Sequence, residues 1–135
     1  MQKKILLLLL IWLWYSIAFT QLIGKVLETN TVKSKVLERN VAYTVYLPAD
    51  YAISERTYPV VYLLHGLSGD NTQWLQWGEI NRYVDKAIAE GTIPLMILVM
   101  PNAGKSWYMN SHNGSVKYED FFIKELSLSW KKPIA

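Results

Sequence analysis

The stretch Tyr58-Pro59-Val60-Val61-Tyr62-Leu63-Leu64-His65-Gly66-Leu67-Ser68-Gly69 decides the fold class. Residues 58–64 form a short, nearly continuous apolar run, the pattern of a strand buried on both faces. The run stops at His65-Gly66-Leu67-Ser68-Gly69-Asp70, which its glycines mark as a loop. Helical spacing follows. Trp74, Trp77, Ile80, Val84, Ala87 and Ile88 fall on one face, with Gln76, Arg82, Asp85 and Lys86 largely elsewhere. Asn71 or Thr72 can cap the start of this helix and Gly91 its end. Pro94 to Met100 is a second strand of the buried type, closed by Pro101-Asn102-Ala103-Gly104. Strand, helix, strand is a βαβ unit, which predicts a parallel pair joined by a right-handed crossover.

Working outward, Gly24 to Val36 reads as a strand with polar interruptions. Val41, Tyr43, Val45 and Leu47 then alternate with Ala42, Thr44 and Tyr46, a half-buried strand stopped by Pro48. Asp50 to Thr57 is a polar connection. Downstream, Lys105 to Lys117 is a long loop, and Tyr118 to Leu128 predicts a helix with Phe121, Phe122, Leu126 and Leu128 apolar. The expected class is α/β, with an antiparallel start followed by βαβ. Ligands of such sheets bind beyond the carboxyl ends of the strands. Here those ends carry residues 65–69 and 101–104.

Half of the 135 residues are apolar (51%) and 19% are charged, which is a globular and not a disordered composition. The net charge is +3, but Lys3 and Lys4 supply two of those charges, and no basic run follows. A nucleic-acid partner is therefore not expected. Residues 1–20 are a segment of their own. Lys3 and Lys4 make a positive start, Ile5 to Phe19 is almost wholly apolar, and Ser16-x-Ala18 has the small-x-small pattern of a cleavage site. This is the layout of a secretory signal peptide, too short in its apolar run for a comfortable membrane span. Residues 21–135 are then one domain portion, periplasmic or secreted, touching a membrane only before cleavage. The sequence holds no cysteine. That excludes a disulfide framework, a cysteine nucleophile and a lipid-modified N-terminal cysteine.

Several stretches together resemble the esterase family that includes tributyrin esterase, S-formylglutathione hydrolase and feruloyl or acetylxylan esterases. They are residues 45–48, 58–69, Leu98-Val99-Met100-Pro101, Ser106-Trp107-Tyr108-Met109-Asn110 and Tyr118-Glu119-Asp120-Phe121-Phe122. The resemblance runs from about Thr31 to Leu126 and corresponds to the first half of a family domain. It implies the N-terminal portion of an α/β-hydrolase fold, with the 94–100 strand between the 41–47 and 58–64 strands. It also implies a carboxylic ester hydrolase with a serine nucleophile in Gly-x-Ser-x-Gly on a sharp strand-to-helix turn.

That motif is not found between Gln21 and Ala135. Gly66-Leu67-Ser68-Gly69 has the wrong spacing, Gly104-Lys105-Ser106-Trp107-Tyr108 is too bulky for an elbow, and Gly114-Ser115 lacks both flanks. The family's acid and base would lie further downstream. The expectation is a fragment cut before the nucleophile strand and inactive alone. The resemblance carries over one catalytic part, the backbone N–H of Leu67 as an oxyanion-hole donor. Gly66 and Gly69 are expected to permit the close turn. His65, Gly66, Trp107, Tyr108 and Asn110 are candidates for the substrate side, on a small or polysaccharide-linked ester, although a structural hydrogen bond is the simpler role for His65.

Trp74 and Trp77 read as core aromatics, Asp70, Glu79 and Asp85 as solvated charges, and His112-Asn113-Gly114 as a turn. No metal or cofactor is expected. Two other readings stay open: a non-catalytic polysaccharide- or ligand-binding protein, and a nonfunctional truncated product. N-terminal sequencing of exported material tests the leader. A start near Phe19 or Gln21 is expected, and an intact Met1 in a membrane fraction would contradict it.

Overall fold

The structure is a computed structural model that describes residues 23–130; the proposed leader and the last five residues lie outside it. Four strands form one sheet: β1 (Lys25–Ser34), β2 (Arg39–Leu47), β3 (Val60–Tyr62) and β4 (Ile97–Pro101). Their order is β1-β2-β4-β3. β1 pairs antiparallel with β2, β2 antiparallel with β4, and β3 parallel with β4. The βαβ unit is as the residue pattern predicts, and the interior position of β4 is as the family resemblance implies. The parallel pairing continues past β3, where the Leu63 N–H donates to Val99 O.

All five residues of β4 are buried. The reason is the period-two geometry of a strand with a layer on each side. Leu98 and Met100 face one way, with Tyr46, Val84, Ile80 and Ile88. Ile97 and Val99 face the other, with Val45 and the partly buried Trp130. A further cluster of Val41, Ala103, Tyr118, Phe121 and Leu126 closes the C-terminal helix against the sheet. β2, expected to be half-buried, is buried at Thr44, Val45 and Tyr46 alike, because it too lies between two layers.

The predicted helix after the first loop is two helices, α1 (Gln73–Gln76) and α2 (Ile80–Ala89). The chain bends between them at Glu79, which is left-handed (φ 44°). Gly78 is needed there, since a Cβ would lie 2.8 Å from the Trp74 carbonyl oxygen. The bend corrects the reading of Trp74 and Trp77 as core residues. Trp77 is 78% exposed, and Trp74 is partly exposed with its indole N–H on the Leu64 carbonyl. Ile80, Val84 and Ile88 keep the expected inward stripe, and the turn at Gly91 follows. The predicted 118–128 helix is one helical run whose middle widens: α3 (Tyr118–Phe121), a π turn (Phe122–Leu126) and α4 (Ser127–Ser129). Leu128 is exposed.

Two carboxylates tie the elements together. Asp85 is not a solvated helix charge. It is buried on the sheet side of α2, where one oxygen accepts from the Tyr46 hydroxyl at 2.7 Å and the Gly24 N–H at 2.9 Å. Glu125 reaches the β1–β2 turn and accepts from Ser34 Oγ (2.6 Å), Lys35 N (2.9 Å) and Val36 N (3.2 Å). Burial raises the Glu125 pKa, but these donors outweigh it and hold the carboxyl below its usual range. Among the described residues β3 pairs only on its β4 side, and Val61 and Leu64 are exposed. No helix among the described residues is long and apolar enough to cross a membrane.

Asp85 gives a discriminating series. Asp85→Asn keeps an acceptor oxygen and should change stability little. Asp85→Leu leaves two donors unpaired and should cost about 2 kcal/mol or more. Urea melts of both variants read the difference, and equal midpoints would contradict the assignment.

Candidate active site

The parallel pairing of β3 with β4 brings their carboxyl ends side by side. The loops that leave them, with the segment after β4, enclose a cleft of about 210 Å³. Leu64, His65, Gly66, Leu67, Gly104, Lys105, Trp107 and Tyr108 line it. Five of the six candidates named from sequence therefore meet in one place: His65, Gly66, Leu67, Trp107 and Tyr108. Asn110 does not line the cleft. It bridges to Lys117, and its side-chain oxygen accepts from the Asp120 N–H.

The 65–70 loop is held by polar contacts with other elements. The His65 N–H donates to the Tyr108 hydroxyl at 2.7 Å. The Gly66 N–H donates to Gln73 Oε1 at 2.9 Å, and the Gly69 N–H returns to Gly66 O at 3.0 Å. The left-handed residue of the turn is Ser68 (φ 65°), not either glycine. Gly69 leaves room for the Gln73 amide, which a Cβ there would push away from the Gly66 N–H. Asp70 then accepts from the Thr72 hydroxyl and N–H, which lowers its pKa. Leu67 is 65% exposed, and its N–H makes no hydrogen bond among the described residues.

The loop after β4 is pinned as firmly. The Asn102 N–H donates to Ala42 O at 2.9 Å, Gly104 N donates to Asn102 Oδ1, and the Tyr118 hydroxyl donates to Asn102 O. The Asn71 amide ties the preceding loop to β2 by donating to Thr44 Oγ1 at 2.8 Å. The next segment carries two consecutive left-handed residues, Trp107 (φ 55°) and Tyr108 (φ 59°). Bulky residues rarely adopt that conformation, and it persists only where the surroundings impose it. Tyr108 supplies the imposition, with its hydroxyl on His65 and its ring edge-on to Tyr118 at 5.6 Å. Trp107 is left 69% exposed at the cleft. His112-Asn113-Gly114 is a turn as expected, with Asn113 accepting from Ser115.

Sequence reasoning gave no site role to Gln73, Asn71 or Asn102. Gln73 and Asn71 act on groups that folding brings close, seven and 27 residues away, whereas Asn102 makes a local turn contact with the Gly104 N–H. Among the described residues no cluster of His, Asp and Glu has the geometry of a metal site.

A mixed sheet with β4 inside and a loop cleft at the ends of β3 and β4 defines an α/β-hydrolase-type domain portion. The chain belongs to the family described as "Putative esterase", whose profile matches residues 34–130. It is 37% identical over 95 residues to an esterase of Mycobacterium tuberculosis, a match covering 67% of this chain and 19% of that protein. A solved ferulic acid esterase is 38% identical with a TM-score of 0.72, covering 79% of this chain and 43% of that one. A ferulic acid esterase of Anaeromyces mucronatus, solved with ferulic acid, is 26% identical with a TM-score of 0.60, covering 78% and 41%. The chain thus spans less than half the length of each of these relatives.

Burial raises the Tyr108 phenol pKa from 10.0 to about 12. Ionising it costs more in the fold than in the open chain. Its contribution to stability is therefore complete below pH 10.0 and lost as pH rises through about 12. Tyr108→Phe should lower stability at neutral pH by about 1 kcal/mol, from the unpaired His65 N–H. The same variant should flatten part of the alkaline fall. Denaturant midpoints at neutral pH and across the alkaline window check both effects.

Proposed function

We propose that this chain is the N-terminal part of an exported carboxylic ester hydrolase, and that it supplies one half of an oxyanion hole through the Leu67 N–H. The observation that carries the reading is that N–H itself. It belongs to a residue lining the cleft, it makes no hydrogen bond among the described residues, and its loop is anchored on both sides. A donor fixed in advance and aimed at developing negative charge stabilises the tetrahedral intermediate of acyl transfer. The ferulic acid esterases among its relatives support a carboxylic ester as substrate, and the exposed Trp107 and Leu67 offer an apolar rim for its organic part.

Turnover needs more than a donor. A serine, a base to take its proton and an acid to orient the base act as a unit. Residues 21–135 contain no Gly-x-Ser-x-Gly. Ser68 lies on the turn between the two glycines, without an elbow. His65 is unsuited as the base, because both of its ring nitrogens already lie against backbone groups. The chain by itself is therefore inactive in this reading. A leader over residues 1–20 would send it to the periplasm or out of the cell.

The test is hydrolysis of a short-chain chromogenic ester by purified residues 21–135, beside a Ser68→Ala variant. No saturable turnover is expected from either. Saturable turnover that disappears in Ser68→Ala would overturn the assignment of the missing nucleophile.

A further inference from the structure

His65 is 7% exposed, and its two ring nitrogens face opposite kinds of partner. Nε2 lies 3.0 Å from the Ala103 backbone nitrogen, which can only donate. Nδ1 lies 2.8 Å from the Gly66 carbonyl oxygen, which can only accept. One protonation state satisfies both: a neutral imidazole with its hydrogen on Nδ1. The opposite tautomer sets a donor against a donor at Nε2 and a lone pair against a lone pair at Nδ1.

The Gly66 carbonyl and the Leu67 N–H are two ends of one peptide unit. That unit is planar and trans, so its C=O and N–H point in opposite directions. Whatever holds the carbonyl aims the N–H. The carbonyl is held twice, by His65 Nδ1 and by the Gly69 N–H. The imidazole is in turn anchored to the loop after β4 through Ala103, whose side chain sits in the core with Val41, Tyr118 and Phe121. A rigid path therefore runs from the core through the imidazole to the peptide that carries Leu67 N–H.

We propose that His65 is the positioning residue of the oxyanion donor: its imidazole, locked in the Nδ1–H tautomer between Ala103 N–H and Gly66 C=O, fixes the 66–67 peptide plane and so the direction of the Leu67 N–H. This rests on the reading of Leu67 as a donor, but the lock is measurable without turnover.

Nitrogen-15 NMR of the wild-type chain reads the tautomer directly, with exposed His112 in the same spectrum as reference and His112→Gln to assign the signals. A protonated Nδ1 and a bare Nε2 are expected for His65. An Nε2–H form, or a mixture like that of His112, overturns the proposal whatever the esterase assay gives. If the chain self-associates, the same signals are read in the solid state.

Two variants then separate the two bonds. His65→Asn places its amide N–H near Nδ1 and has nothing at Nε2. It should keep the Leu67 N–H orientation, read by residual dipolar couplings, while the Ala103 amide exchanges about tenfold faster. His65→Gln reaches toward the Nε2 position and loses the Nδ1–H. It should keep Ala103 protected and let the Leu67 N–H reorient. Couplings within β2 and β4 should be unchanged in both. A Leu67 N–H that holds its direction in His65→Gln refutes the positioning role, even if the tautomer is as stated.

Discussion

The molecule depends on β4 being hydrogen-bonded along both edges and packed on both faces. Its register is set on one side by Tyr43 to Tyr46 of β2 and on the other by Val60 to Tyr62 of β3. Burial of every one of its residues makes a slip costly, since a shift by one residue would exchange the set that meets α2 with the set that meets Val45 and Trp130. Because β3 runs parallel to β4, their carboxyl ends stand together. The 65–70 and 101–104 loops meet for that reason, and a cleft forms between them.

Polar groups then convert this packing into a defined loop geometry. Apolar contact is non-directional and tolerates small rotations; a hydrogen bond tolerates them less. Gln73 on the Gly66 N–H, Tyr108 on the His65 N–H and Asn102 on the Gly104 N–H each fix one peptide near the cleft. Farther away, Asp85 and Glu125 do the same for the outer elements. They bind α2 to β2 and the C-terminal helical run to the β1–β2 turn. The left-handed pair Trp107-Tyr108 shows how firmly the region is held, since two bulky residues stay where an isolated chain would rarely place them.

Much of this was legible in sequence. The apolar run 58–64, the second run 94–100 and the helical spacing between them are consequences of side-chain order, so the βαβ unit could be read directly. The first run is not buried on both faces as expected, because β3 pairs only with β4 among the described residues and leaves Val61 and Leu64 exposed. The glycines of 66–69 marked the loop, and the family resemblance singled out Leu67, Trp107 and Tyr108, which line the cleft. The readings that failed share a cause. Trp74 and Trp77 fit the apolar stripe of one straight helix, but the bend at Gly78-Glu79 turns Trp77 out to solvent. Asp85 looked solvated because a lone acid on a helix usually is. Its partners, Gly24 and Tyr46, lie 61 and 39 residues away.

By itself the sequence determined the strands, their parallel pairing, the loops that end them and the family whose motifs they carry. These follow from periodicity and from residues adjacent in the chain. Only the tertiary structure decided that His65 Nε2 faces Ala103, that Gln73 and not a glycine's φ shapes the 66–69 turn, and that Asn110 falls outside the cleft. The physical reason is that a hydrogen bond acts over about 3 Å and in one direction. Spacing along the chain states neither distance nor direction until the sheet has brought remote residues together.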